Sequence, residues 1–132
     1  MTIEILKLTK ITILIKFLSG IVFTIMYWVP ELSGPLFGLS YSPQSGAYSM
    51  MVGSAVLGLT LGAFFALFAK EWKEIKILVI AEIGWLASVL IAMIVNFSLF
   101  DVIVIGVLLI VILLLVLYVL SFLQQEDIIK IS

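Results

Sequence analysis

Residues 77–94 read ILVIAEIGWLASVLIAMI. Apart from one carboxylate, Glu82, and one hydroxyl, Ser88, the stretch is apolar or small throughout. A helix needs about 20 apolar residues to cross roughly 30 Å of hydrocarbon at about 1.5 Å per residue. This segment is therefore read as a membrane span, and Glu82 as a charge that the span must accommodate.

The rest of the chain agrees with that solvent. Of 132 residues, 64% are hydrophobic and 11% charged, with mean hydropathy +1.39. A water-soluble domain has about a quarter of its residues charged, so too few charges are present to cover this apolar surface in water. Four apolar runs stand out, at residues 11–29, 47–69, 77–95 and 102–123. None has the alternating apolar and polar pattern of a barrel strand. The expected fold is one all-α domain over residues 1–132, an integral membrane bundle of four transmembrane helices with an outer loop at 30–46.

The lysines suggest an orientation. Lys7, Lys10 and Lys16 lie in or before the first run, Lys70, Lys73 and Lys76 between the second and third, and Lys130 in the tail. All seven cations fall on one side of a four-span arrangement, which the positive-inside bias makes cytoplasmic, with both termini. The first run is too long for a cleaved leader and is followed by WVPELSGP without a small-x-small site, so a retained helix in the cell membrane is expected.

There is no Cys and no His. This excludes disulfides, Cys/His zinc sites, iron–sulfur clusters and His-ligated haem. No metal site or catalytic residue is identified, and the chain is not expected to be an enzyme on its own. Walker loops, dinucleotide fingerprints and basic–aromatic surfaces for nucleic acid are absent from the sequence.

Several features carry local expectations. On the first helix Thr9, Thr12, Lys16, Ser19, Gly20 and Tyr27 recur at helical spacing, a polar stripe that should face other helices rather than lipid. Ser54, Gly58, Gly62 and Ala66 on the second helix, and Ala81, Gly84, Ser88 and Ala92 on the third, form small-residue stripes that would let these two helices pack closely. Homodimerisation through the GxxxG at Gly58 and Gly62 is the rival arrangement.

Ser42-Pro43 resembles an N-cap followed by proline at the first helical position. The aromatic residues Phe37, Tyr41 and Tyr48, with Leu39, would bring the outer loop back to the headgroup region. Ser98-x-x-Asp101 has the capping-box form at the start of the fourth helix, and Asn96-Phe97-Ser98 is a chance glycosylation triplet. The fourth helix is almost without polar residues and suits contact with lipid or a partner.

Glu82 and Lys16 lie at matching depths, each about five residues or 7–8 Å into its apolar run. An isolated charge in a span costs about 2.5–3.5 kcal/mol on insertion scales. The expectation is an ion pair or water-bridged contact between them, and otherwise a protonated Glu82. A structural pair and an ion or proton pathway are both open. Tyr27, Glu31, Trp85 and Asn96 are candidates for lining an outward-facing cavity.

A first span ending near Pro30-Glu31, a Gly/Pro-rich outer loop, a small-residue second span and a short basic link before the closing pair together resemble the layout of the DoxX-like group of small four-helix membrane proteins. That resemblance implies association with membrane redox complexes, including quinone-linked ones, and assigns no individual residue. Small multidrug transporters also have four spans but place their essential acid in the first, where this chain has Lys16.

Three functions are consistent with these features: a non-catalytic accessory, assembly or interaction subunit of a membrane complex; a proton-coupled small transporter using Glu82; and a DoxX-like quinone- or lipid-associated redox subunit. No cofactor is evident beyond a quinone or lipid. The expected partners are the bilayer, other membrane subunits or a second copy, and not nucleic acid.

Overall fold

A computed structural model describes residues 3–36 and 42–130. Phe37, Leu39 and Tyr41 of the expected headgroup contact lie outside the described residues. The elements are α1 (Lys7–Trp28), α2 (Pro30–Leu36), α3 (Pro43–Ala66), α4 (Trp72–Val95), a 3-10 turn (Phe97–Leu99) and α5 (Val104–Gln125). The described residues contain no strand beyond an isolated bridge between Glu4 and Glu71. Four helices, α1, α3, α4 and α5, are long and apolar enough to cross a membrane.

Helix boundaries differ from the hydropathy runs because hydropathy marks the apolar stretch, while the hydrogen-bonded ladder extends into polar turns. α1 begins at Lys7 and α4 at Trp72. Most of the basic link at 70–76 is therefore the first turn of α4. Glu74 Oε2 caps that turn, accepting from the backbone N–H of Lys70 at 2.9 Å and of Glu71 at 3.2 Å. At the start of α3, Ser42 Oγ accepts from Ser45 N–H at 3.1 Å and Ser42 N–H donates to Ser45 Oγ at 2.9 Å. Pro43 follows at the first helical position, where its missing N–H costs nothing.

One local expectation fails. Asp101 does not cap α5, whose N-cap is Ile103 with no side-chain bond. The Asp101 carboxylate instead accepts from the adjacent Val102 N–H at 2.6 Å, and Ser98 is in the 3-10 turn, so no reciprocal box forms. In the outer loop, Pro30 starts the short helix α2, seven residues long.

The packing corrects the expected pairing. α1 packs chiefly against α3, and α4 against α5; α1 also meets α5, while α3 and α4 touch little. Of the two small-residue stripes, Ser54, Gly58, Ala81, Gly84, Ser88 and Ala92 are exposed. A side chain added at Gly58 or Gly84 would meet nothing within 4 Å. Only the end of the stripe reaches α4, where Gly62 faces Leu78 and Ala66 is buried. The reason lies on α4: it turns Ile75, Val79, Glu82, Leu86 and Met93 inward. The small residues are centred about 140° around the helix from that face, at roughly 3.6 residues per turn, and are exposed. α3 likewise buries Gly53, Val56, Thr60 and Ala63. Close approach therefore occurs between α1 and α3, where a side chain at Gly20 would collide with Thr60 and one at Gly53 with Tyr27 and Trp28.

A clasp closes the lysine-bearing end. The extended residues before α1 are tied to α4 by Trp72 N–H donating to the Ile3 carbonyl at 2.9 Å. Gln125 Nε2 donates to the Glu4 carbonyl at 2.7 Å, while its Oε1 accepts from Leu6 N–H at 3.0 Å. Glu126 accepts from the Trp72 indole and pairs with Lys76 at 2.8 Å. Lys7, Lys10, Lys70, Lys73, Lys76 and Lys130 all belong to this end by their positions on α1, α4 and the chain after α5.

Two outcomes are expected. Gly20→Val should lower thermal stability in detergent by about 1–3 kcal/mol, as overpacking does, because Thr60 is held by its own bond to the Val56 carbonyl at 2.7 Å. Gly58→Val should change nothing measurable. Second, Lys76 and the Trp72 indole hold the Glu126 carboxyl below the usual glutamate range. The clasp is then complete above the ordinary value of about 4.3 and is lost only as pH falls through the lower folded value. In a Trp28→Phe, Trp85→Phe background, Trp72 emission should change with a midpoint below about 4.3, and Glu126→Gln should abolish that transition.

Candidate functional site

The polar stripe of α1 meets a matching series on α5. Thr9, Thr12 and Lys16 are spaced by three and four, as are Gln125, Ser121 and Tyr118 on the antiparallel neighbour. Thr9 Oγ1 donates to Gln125 Oε1 at 3.1 Å, and Thr12 Oγ1 and Ser121 Oγ are 3.1 Å apart. Thr9, Thr12, Ser121 and Tyr118 are fully buried. Hydrogen bonds of this kind hold helices together where lipid provides no hydrophobic drive between them. They also fill the lysine-bearing half of the bundle with short, mutually satisfied groups.

One step further in, Lys16 Nζ lies 3.0 Å from Glu82 Oε2, with the two side chains 6% and 0% exposed. Lys16 is nine residues along α1 and Glu82 ten along α4, so each is about 14–15 Å from its helix start. Each therefore lies near the midpoint of its own helix. Oε2 is matched by charge, whereas Glu82 Oε1 has no hydrogen-bond partner. The Tyr118 hydroxyl is also buried without one and lies within electrostatic reach of Glu82.

Beyond the pair, toward the end opposite the lysines, the helix pairs diverge around a cleft of about 620 Å³. Its walls are mainly apolar: Phe23 on α1, Val52 and Val56 on α3, Trp85 and Val89 on α4, and Val107 and Val111 on α5. Tyr27 and Asn96 line it toward the far end, with Ser33, Ser45 and Ser49 nearby. Lys16 is the charged residue in that lining; Glu82 is not part of it. Lys16 therefore lines the cleft while its Nζ is paired with the carboxylate.

The structure brings Tyr27, Trp85 and Asn96 to one cleft with Lys16, but not Glu31. Glu31 is exposed in the first turn of α2, where a carboxylate keeps its water. The Asn96 amide donates to the Ala92 carbonyl at 2.8 Å, so it ends α4 as well as lining the cleft. Sequence reading missed Tyr118, Ser121 and Gln125. Their three-and-four spacing was visible on the fourth helix, but three polar groups among so many Leu, Ile and Val residues gave no contrast.

A pocket of a few hundred Å³ with apolar walls and a few convergent polar groups is the usual form of a small-molecule site. Here the walls suit an apolar body, and the pair at the base supplies the one place where a polar group finds charge. No family model, curated protein or solved structure matches this chain. The DoxX-like layout is thus a likeness of arrangement that assigns no role to any residue.

Removing one member of a buried ion pair leaves the other uncompensated, at a cost of about 3–5 kcal/mol. Lys16→Met should therefore lower the unfolding temperature in detergent sharply, and the loss should shrink at acid pH, where Glu82 is neutralised. The double variant Lys16→Met, Glu82→Leu should recover most of the stability, since an apolar replacement of both partners is often nearly neutral.

Proposed function

We propose that this small multi-pass membrane protein binds an amphipathic, bilayer-dissolved molecule of the lipid or quinone class in the cleft between α1/α3 and α4/α5. It does no bond-making chemistry of its own and acts as an accessory component that holds or presents this molecule within a larger membrane system. The cell membrane is its location. With the lysine-bearing end cytoplasmic, the cleft faces the outer half of the bilayer.

The observation that carries this reading is the cleft itself: about 620 Å³, with walls of Phe23, Val56, Trp85, Val89 and Val111 and a single ammonium at its base. Bundles of this size bury their helix faces against one another or against lipid. A cavity large enough for an acyl chain or isoprenoid segment, ending at a buried charge, is chemically matched to a molecule with an apolar tail and one polar head. The proton-coupled reading of Glu82 is related to this one through Lys16, which lines the cleft and is paired with the carboxylate.

Purification in mild detergent, followed by solvent extraction and mass spectrometry, tests the reading. The native protein should retain one class of amphiphile in near-stoichiometric amount, identified as quinone by its ultraviolet spectrum or as lipid by its fragments. Val89→Trp, which fills the cleft from a half-buried position, should lose it while eluting as the native protein does. Ile94→Trp, on an exposed position, should keep it. Equal, non-stoichiometric lipid in all three would contradict the proposal.

A further inference from the structure

The cleft and the intramembrane carboxylate do not meet directly. Lys16 links them, lining the cleft while its Nζ rests 3.0 Å from Glu82 Oε2. Lys16, and not Glu82, is the charged residue among those lining the cleft that an entering molecule can reach. An anionic headgroup is attracted there, a cationic one is repelled, and a neutral one gains little.

We propose that the cleft selects an amphiphile with an anionic headgroup, and that its binding transfers Lys16 from Glu82 to the ligand while Glu82 takes up a proton. This rests on the reading of the cleft as a ligand site. The exchange balances in charge and atoms. Before binding, the interior holds one ammonium and one carboxylate; after it, one ammonium, one ligand anion and one neutral carboxylic acid. A single O–H bond forms at Glu82 as one breaks in a hydronium ion or buffer acid of the aqueous phase, which is left as water or the buffer base.

The surroundings of Glu82 leave no other neutraliser. From α1 it faces Lys16, with Thr12 one turn away bonded to Ser121. From α5 it faces Tyr118, and that helix has no charged side chain from Val104 to Gln125. α3 has none from Pro43 to Ala66. On α4 the other charges, Lys73, Glu74 and Lys76, are in the first turns at the far end. Once Lys16 turns to a ligand, the carboxylate would be a lone buried charge, and such groups neutralise instead. Glu82 Oε1 is buried without a hydrogen-bond partner, so a proton placed there displaces no existing bond.

The test uses the full chain in detergent micelles with two probes of equal tail length: a pyrene-labelled alkyl sulfonate, ionised at every pH used, and the corresponding alkyl alcohol. The sulfonate should bind more tightly than the alcohol, and its affinity should weaken about tenfold for each pH unit of increase where the free protein holds Glu82 ionised. In weakly buffered solution its binding should take up about one proton per ligand, and alcohol binding none. Glu82→Gln should bind the sulfonate with no pH dependence, and Lys16→Met should lose the preference for the sulfonate over the alcohol. Should either variant fail to fold, proton uptake by the native protein decides alone. If both probes bind and sulfonate binding is independent of pH without proton uptake, the exchange is overturned and the cleft reading stands. If neither probe binds, both fall.

Discussion

A charge in hydrocarbon cannot be left alone, and this bundle is arranged around that constraint. Glu82 is fully buried near the midpoint of α4, and Lys16 is held at the same depth on α1. Satisfying that one carboxylate fixes which face of α4 turns inward. It brings Val79, Leu86 and Met93 into the core and sends Ala81, Gly84 and Ser88 outward, while Ala92 lines the cleft. The same rotation explains why the small residues of α3 and α4 do not interlock. Their stripes are compatible with close packing, but turning α4 to use its stripe would expose the carboxylate to lipid. The small-residue contact is worth little beside the charge.

The pair also divides the bundle into two unlike halves. On the lysine-bearing side, Thr9 with Gln125 and Thr12 with Ser121 form successive rungs, and the clasp around Trp72 and Glu126 ties the leading residues to α4 and α5. On the other side the helix pairs separate around the cleft, with Lys16 at its base. One half is filled and hydrogen-bonded; the other is open, with mainly apolar walls. The proposed ligand chemistry follows from this asymmetry, since a molecule can enter only from the open half and reaches charge only at its deepest point.

Much of this was legible from individual residues. The four spans, the inward stripe Thr9, Thr12 and Lys16, and the cap at Ser42-Pro43 all follow from composition and spacing, because each is a local consequence of its own residues. What was not legible depends on partners. Gly58 and Gly62 look like a contact motif, yet α3 presents Gly53, Val56 and Thr60 to α1 instead. Ser98-x-x-Asp101 has the right spacing for a capping box, but α5 starts after it, at Val104. Glu31 looked equivalent to Asn96 as a cavity residue until α2 placed it in the open. The polar side of α5 is the instructive omission, since Tyr118, Ser121 and Gln125 become a pattern only when set against α1.

The central claim is that Lys16 and Glu82 are charge partners in the interior of the folded chain. Solid-state NMR on protein in lipid bilayers, measuring the dipolar coupling between lysine 15Nζ and glutamate 13Cδ, addresses it directly. The native protein should show a component at ion-pair range that is missing from a Lys16→Met sample and remains after the exposed pairs are removed by Glu71→Gln and Glu126→Gln. If that component is absent, or is unchanged by Lys16→Met, the two side chains are not paired and the account of the bundle fails.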